Sequence, residues 1–339
     1  MISFTLVSTV FNEIKRLDQS IQEIENQSRQ PSEIIIVDAG SKDGTFEKLL
    51  EWKERSAIPI QIVSKPKCNV AEGRNYAIKL ATTALIASTD FGCRFHPDWL
   101  NSIITPFEKD PALQVVGGAF TVREEEIVNL SQKADYVLQD GYRVKMDDGF
   151  SVSSRSIAYQ KKVWAEIGGY PEWLTLAADD TIFWRQVKQR NFKYYLVDKP
   201  YVYWMRHKTF AAFGKEAGRY GLGDGESGIN LRTYISLSIE TALRYSLVLH
   251  VLLFPFYASY TLWPISLFGP LLLGLRSYKK AIVRWLKWRS GKFDGRVLAG
   301  CFWMIEMTRW NYLRGYTRGL FSRSQEQVEK GAKLRAEIS

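Results

Sequence analysis

The first 120 residues switch between two hydrophobic periods. Ile2–Val10 reads as a buried strand, and Ile34-Ile35-Ile36-Val37 within Glu33–Asp38 is a continuous apolar run. Ile60–Ser64, Ala84–Thr89 and Val115–Val122 repeat the pattern. Short apolar runs of this kind suit strands buried on both faces of a parallel sheet. Between them, Ile14, Leu17, Ile21 and Ile24 recur at helical spacing over Ile14–Asn26. Ser41-Lys42-Asp43-Gly44-Thr45 offers caps for a helix through Ser56, and Val70–Leu80 and Pro97–Phe107 read as two further helices. The alternation predicts an α/β fold, a mostly parallel sheet with helices on both faces. Ligands of such sheets bind beyond the carboxyl ends of the strands.

The second half is less regular. Leu130–Leu138 reads as a helix and Phe150–Tyr159 as a strand beside a substrate cleft. Asp179–Gln189 is a predicted helix, with Phe192–Val197 and Tyr201–Arg206 as strands. A helix over Thr209–Tyr220 leads into Gly221-Leu222-Gly223-Asp224-Gly225-Glu226-Ser227-Gly228, which the glycines predict to be a mobile loop. It suits either a gate over a ligand or a plain linker. No internal repeat or low-complexity linker interrupts the chain, and a boundary is expected near Ile229–Ser238.

Tyr245–Leu275 then holds no Asp, Glu, Lys or Arg, and His250 is its only ionisable group apart from tyrosines. As one straight helix these 31 residues would reach about 46 Å, against a hydrocarbon core of about 30 Å. Pro255, Pro264 and Pro270 argue for a kinked span or a re-entrant hairpin, with a buried pair of core helices as the alternative.

Charge changes this picture. The 339 residues carry a formal charge of +10, yet residues 276–339 hold 15 Lys+Arg against 5 Asp+Glu, so the first 275 residues are electroneutral. A uniformly basic nucleic-acid-binding body is therefore excluded. Lys279, Lys280, Arg284, Lys287, Arg289 and Lys292 interleave with Trp285 and Trp288, a mixture suited to the headgroup level of an anionic leaflet rather than to nucleic acid. Leu298–Leu313 reads as a second interfacial helix, and the positive-inside rule places tail and catalytic domain on the cytoplasmic side of the cell membrane. Cys68, Cys93 and Cys301 are too scattered for a disulfide framework or a zinc site, and reduced thiols are expected. Met1–Phe11 lacks a basic leader and reads as a strand rather than a signal peptide.

There is no GxGxxG or GxxxxGK[ST] run. What the sheet offers is carboxylates at strand ends: Glu13 after the first strand, Asp38 after the second, Asp90 after the fourth. Each alone could merely cap a helix; together they point to a site for a polar ligand.

Thr9-Val10-Phe11-Asn12-Glu13, the run Val37-Asp38-Ala39-Gly40-Ser41-Lys42-Asp43-Gly44-Thr45, and Thr89-Asp90-Phe91-Gly92-Cys93 followed by Pro97-Asp98-Trp99-Leu100 resemble family 2 glycosyltransferases over residues 2–228. The resemblance implies a GT-A fold and an inverting enzyme that uses a nucleotide-sugar donor. It implies donor contacts at Thr9, Phe11, Glu13 and Asp38, with Ala39 standing where the family often has a second Asp. It also implies an Arg74 that forks onto the donor diphosphate. Gly168-Gly169-Tyr170-Pro171 and Asp179-Asp180 are similar to the family's glycine turn and acidic pair. The resemblance then makes Asp180 the base that deprotonates the acceptor hydroxyl, with Asp179 orienting it or the acceptor.

The family's Asp-x-Asp metal motif is Asp90-Phe91-Gly92 here. A divalent cation, Mg²⁺ or Mn²⁺, is implied, with Asp90 and more weakly His207 as ligands. Arg155, Arg206 or Lys208 are alternative sources of positive charge. The expected layout is a GT-A domain over 1–230, apolar membrane-associated helices or a hairpin over 231–275, and a basic cytoplasmic tail over 276–339. The expected partners are a nucleotide-sugar donor, a lipid-linked or glycan acceptor in polysaccharide biosynthesis, and an anionic membrane surface. Gly92 and Ala39 leave a second reading, a catalytically silent GT-A-like binding module.

Overall fold

The computed structural model describes residues 2–147, 149–253, 263–288 and 293–338. Its contacts divide the chain into two units, residues 1–126, 142–206 and 324–339 in the first and 127–141 and 207–323 in the second. The division differs from the sequence-based one. It falls at Arg206/His207 rather than near residue 230, and the last residues return to the first unit.

The first unit is an α/β sheet. Its strands are β1 (Thr5–Val10), β2 (Glu33–Asp38), β3 (Ile60–Ser64), β4 (Leu85–Asp90), β5 (Cys93–Phe95), β6 (Val115–Thr121), β7 (Ile157–Gln160) and β8 (Tyr194–Trp204), in the order β3-β2-β1-β4-β7-β6-β8-β5. β3, β2, β1 and β4 are parallel. β7 runs antiparallel to both β4 and β6, β8 is parallel to β6, and the short β5 closes the edge antiparallel to β8. The register pairs Val10 with Asp38 and Thr9 with Asp90, so the carboxyl ends of β2, β1 and β4 form one edge.

Alternation along each strand feeds two cores. Leu6, Ile34 and Ile36 face one cluster with α1 (Ile14–Glu25), α2 (Thr45–Arg55) and α4 (Trp99–Lys109), through Leu17, Ile21, Trp52, Trp99 and Ile103. Val7, Ile35 and Val37 face the other with α3 (Val70–Leu80), α6 (Lys161–Ile167) and α7 (Asp179–Gln189), through Ile78, Val163, Phe183 and Trp184. These helices are those the sequence predicts, apart from α6, which was not expected. Phe150–Tyr159 does not become a strand throughout, because only Ile157–Gln160 pairs. The two strands expected after α7 are one continuous β8, bulged against β6 between Gly118 and Phe120. The terminal helix α12 (Gln325–Ile338) belongs to this unit: Gln327 donates to the Trp173 carbonyl and Glu337 accepts from Gln186.

The second unit holds α5 (Leu130–Leu138), α8 (Phe210–Ser227), α9 (Leu231–Leu253), α10 (Trp263–Trp288) and α11 (Gly295–Phe321). The glycine-rich stretch is no mobile loop. It is the last part of α8, and its glycines let two backbones touch. A Cβ on Gly221 would lie 2.1 Å from the Tyr312 carbonyl oxygen, and one on Gly225 would lie 2.3 Å from that of Tyr316. In return, Gly315 and Gly319 would strike the Gly218 and Leu222 carbonyls at 2.2 and 2.3 Å. Asp224 is part of the same packing, accepting from Tyr312 and Asn230.

Trp288, expected at a lipid headgroup level, instead packs on Tyr136 and Phe293 and donates to Asp140. Trp285 donates to the Asp294 carbonyl. Pro255, Arg289 and Lys292 lie outside the described residues, as does the middle of the predicted apolar segment. Among the described residues no helix is long and apolar enough to cross a membrane.

Gly221→Ala replaces a poor helix former by the best one, and on helix propensity alone it would stabilise. The contact with α11 reverses the sign. Thermal unfolding should show a loss of about 1–3 kcal/mol, whereas Gly295→Ala, with nothing within 4 Å, is neutral or stabilising.

Candidate active site

At the carboxyl edge of the sheet, the loops after β1 and β2 are laced together. Asn12 takes a positive φ of 55°. Its amide donates to Ser41 Oγ, its side chain accepts from the Lys42 amide, and the Glu13 amide donates to Thr45 Oγ1. Asp43 closes the loop by accepting from Ile14 and Thr45. Asp38 is buried, and its carboxylate accepts from the Gly40 and Ser41 amides at 2.9 and 3.0 Å. Its acceptor oxygens therefore shape their own loop first. Phe11 stands beyond the strand end, 57% exposed, with its ring available to a flat ligand. Thr9 lies in register between Val37 and Asp90. It also meets α3, where a Cβ on Gly73 would come 2.7 Å from Thr9 Cγ2. Glu13 is half-buried; burial raises its pKa, Arg16 opposes the rise, and Asp43 and Asp90 add to it.

Helix α3 organises the rest. Asn69 caps it by accepting from Glu72, and Glu72 returns a bond from the Asn69 amide. The Asn69 amide group donates onward to the Glu172 and Leu174 carbonyls. Asn75 accepts from Trp164 and from the Tyr170 amide, and donates to the Tyr170 carbonyl and to Glu172. Gly169 has φ +84°, and a Cβ added to it would lie 3.0 Å from Asn75 Oδ1. Two asparagines thus hold the glycine turn that precedes α7.

Arg74, between them, is 2% exposed. One terminal nitrogen donates to Asp179 and the other to Asp90 at 3.1 Å, with the guanidinium 4.8 Å above the Tyr170 ring. Burial alone would lower its pKa, but Asp179 and Asp90 outweigh that and raise it. The sequence-based expectation of an exposed fork for a diphosphate differs from this: Arg74 is a buried bridge between two carboxylates. Burial likewise raises the Asp179 pKa, Arg74 opposes the rise, and Asp180 and Asp90 add to it.

Asp180, the next residue, is only half-buried. Its Oδ1 accepts from the Thr181 amide and hydroxyl, and no described residue donates to Oδ2. The residue before the pair, Ala178, adopts φ +73°. A non-glycine residue in that region costs about 1–3 kcal/mol, and here it turns the chain so that α7 begins with both aspartates. The acidic pair is thus split into a buried, paired member and one open to a ligand.

The implied divalent cation fits this donor set poorly. Hard cations want several oxygens. Asp90 already accepts from Arg74, Gly92 contributes no side chain, and Cys93 is buried with its thiol pushed up to about 12 by burial. His207 belongs to the second unit, where Nε2 lies 3.4 Å from Glu216 and the ring packs on Phe213. No group of three or more His, Cys, Asp or Glu among the described residues forms a metal site. Arg155 and Arg206 stack on Trp204, their guanidinium carbons 4.0 and 3.7 Å from the ring centre. Asn75, Tyr170 and Arg16 are the contributors that sequence reasoning undervalued. Only the missing carboxylate at Gly92 hints that a cation such as Arg16 is needed nearby.

Residues 5–167 match the family model described as Glycosyl transferase family 2. Among solved structures, the mannosyltransferase PcManGT from Pyrobaculum calidifontis, in complex with GDP-Man and Mn²⁺, is similar at 15% identity and a TM-score of 0.54, over 95% of this chain and 88% of that one. TarS from S. aureus, as residues 1–349 with UDP, is similar at 15% identity and a TM-score of 0.48, over 95% and 91%. A longer TarS structure matches at 15% identity and a TM-score of 0.45 over 64% of this chain and 39% of its own length. No curated protein matches the chain. Residues 5–167 are thus similar to glycosyl transferase family 2, and the eight-stranded mixed sheet is an α/β fold of the GT-A type.

Proposed function

We propose that the protein is an inverting glycosyltransferase that moves a sugar from a nucleotide-sugar donor to a hydroxyl acceptor. One observation carries this reading: Arg74 clamps Asp90 and Asp179, so that the half-open carboxylate of Asp180 is fixed at the start of α7 in the same unit as the laced β1–β2 loops. The nucleotide sits on that lacework, its base against Phe11. Asp180 takes the proton from the acceptor hydroxyl as the oxygen attacks the anomeric carbon. The bond from that carbon to the diphosphate breaks, the anomeric configuration inverts, and a nucleoside diphosphate leaves. Asp179 and Arg74 touch neither substrate; they position Asp180. The GDP-Man and UDP complexes of the similar structures support a nucleotide-diphosphate donor class.

The acceptor in this reading is a lipid-linked glycan or polysaccharide precursor, and the enzyme works on the cytoplasmic face of the cell membrane. Support comes from the second unit. Leu231, Ile235, Ile239 and Leu243 recur every four residues along α9 and are all exposed. Trp303 and Trp310, seven residues apart on α11, are exposed as well, and Lys279 and Lys280 add positive charge. An apolar stripe with interfacial aromatics and lysines suits a helix lying on an anionic leaflet.

Asp180→Asn should lower transfer or donor hydrolysis by about 10²–10⁴-fold with the melting temperature and nucleotide affinity unchanged. A fully active variant would refute the base assignment. Wild-type protein inert towards every UDP, GDP, CMP and dTDP sugar would leave a binding module instead. Arg74→Met strands a buried Asp179 and should cost about 3–5 kcal/mol of stability; adding Asp179→Asn should restore part of it, as read by denaturant titration. In sedimentation with vesicles, the protein should pellet with phosphatidylglycerol-containing lipid more than with phosphatidylcholine alone, and Ile235→Glu/Ile239→Glu should stay in the supernatant.

A further inference from the structure

We infer that the leaving diphosphate is neutralised by the Arg16 guanidinium, in the place where a divalent cation would sit, and that nucleotide binding is metal-independent. The inference rests on the nucleotide-sugar reading above and adds to it the source of the counter-charge. Its starting point is Gly92. A side chain begun there would meet Arg16 Nη1 and Glu13 Oε1, each 3.9 Å from the ideal Cβ. The space that a second motif carboxylate would fill is therefore bordered by a guanidinium. A dication at that point would meet the like charge of Arg16 as near as the carboxylate of Glu13. A carboxylate at that point would pair with Arg16 instead of with a metal.

Four other arginines of this unit are committed elsewhere. Arg29 is paired with Glu108, Arg74 with Asp90 and Asp179, and Arg94 with Glu23. Arg155 stacks on Trp204 and donates to Ser153. Arg16 forms no ion pair with a carboxylate among the described residues. It is half-buried in the first turn of α1, next to the β1 end and beside the residues that follow Asp90. A guanidinium offers five donors in a planar fork, the geometry that phosphate oxygens accept in pairs. Preorganised positive charge aimed at a developing oxyanion needs no metal to lower the barrier. Glu13 borders the same space, and its charge attracts Arg16 there.

The test is calorimetric titration of the full chain with UDP, GDP, CDP and dTDP, each in EDTA and in Mn²⁺. The nucleotide that binds should do so equally in both. Arg16→Ala should weaken that nucleotide by about ten- to a hundredfold and leave the matching nucleoside unaffected, with Arg16→Lys in between. Gly92→Asp separates the alternatives by sign: it should weaken the diphosphate by neutralising Arg16, whereas a metal site would gain a ligand and bind tighter with Mn²⁺. Binding seen only with Mn²⁺, or an Arg16→Ala protein that binds as wild type, overturns the inference and leaves the glycosyltransferase reading standing. Failure of every nucleotide in both buffers overturns that reading and the inference with it.

Discussion

The buried guanidinium of Arg74 is the interaction on which the site depends. Two carboxylates reach it from distant parts of the chain, Asp90 from the end of β4 and Asp179 from the start of α7. In a low-dielectric setting, removing either partner leaves an uncompensated charge, so the three groups stand or fall together. In the proposed reaction, the arrangement also accounts for an acidic pair where one acid does the chemistry. Asp179 is spent on the clamp, and the clamp fixes the backbone from which Asp180 projects. Asn69 and Asn75, either side of Arg74 on α3, extend the same logic to the glycine turn by saturating its carbonyls and amides. One helix thus ties the donor edge of the sheet to the element that carries the base.

Glycine serves opposite purposes in the two units. At Gly169 and Gly40 the backbone has positive φ, and the residue is used for its conformational freedom. In α8 and α11 the glycines are helical and are used for their lack of volume. Their neighbours are backbone carbonyls, and a methyl group would have to push one helix away from the other. Close backbone approach of this kind needs no apolar driving force between side chains, which suits a unit whose other surfaces expose Ile and Trp. The same residue type therefore marks a turn in one place and a weld in the other.

This explains what was legible in the sequence and what was not. The strands β1, β2 and β4 and the helices between them could be read because burial on both faces leaves continuous apolar runs and one-sided helices. The strand-end carboxylates followed from topology, since parallel strands must end on one edge. The Gly221–Gly228 stretch could not be read, because composition does not say whether a glycine lacks a side chain to bend or to be approached. Nor could the role of Arg74: its spacing marks a helix start, and only the fold brings Asp179, 105 residues away, onto it. The single long β8 escaped for a milder reason, since Pro200 in its middle looks like a break and is tolerated at an irregular stretch of pairing.

The charge asymmetry gains a meaning from these placements. The first 275 residues are neutral in sum, and at the strand-end edge three carboxylates, Glu13, Asp90 and Asp179, stand beside two cations, Arg16 and Arg74. Such a surface does not attract polyanions at long range, because it carries no excess of cations and the field that remains is screened within about a Debye length. The proposed binding of a diphosphate there rests on short-range geometry, a guanidinium and backbone amides already in position. The lysines and arginines of residues 276–339 do the opposite work. Some are paired, Lys287 with Asp140 and Arg309 with Glu240, and in the proposed membrane reading the net excess acts on an extended anionic surface, where each cation near the surface is worth about 1 kcal/mol. In the proposed reading, a binding edge with no excess of cations and a basic helical region thus meet two recognition problems that differ in range.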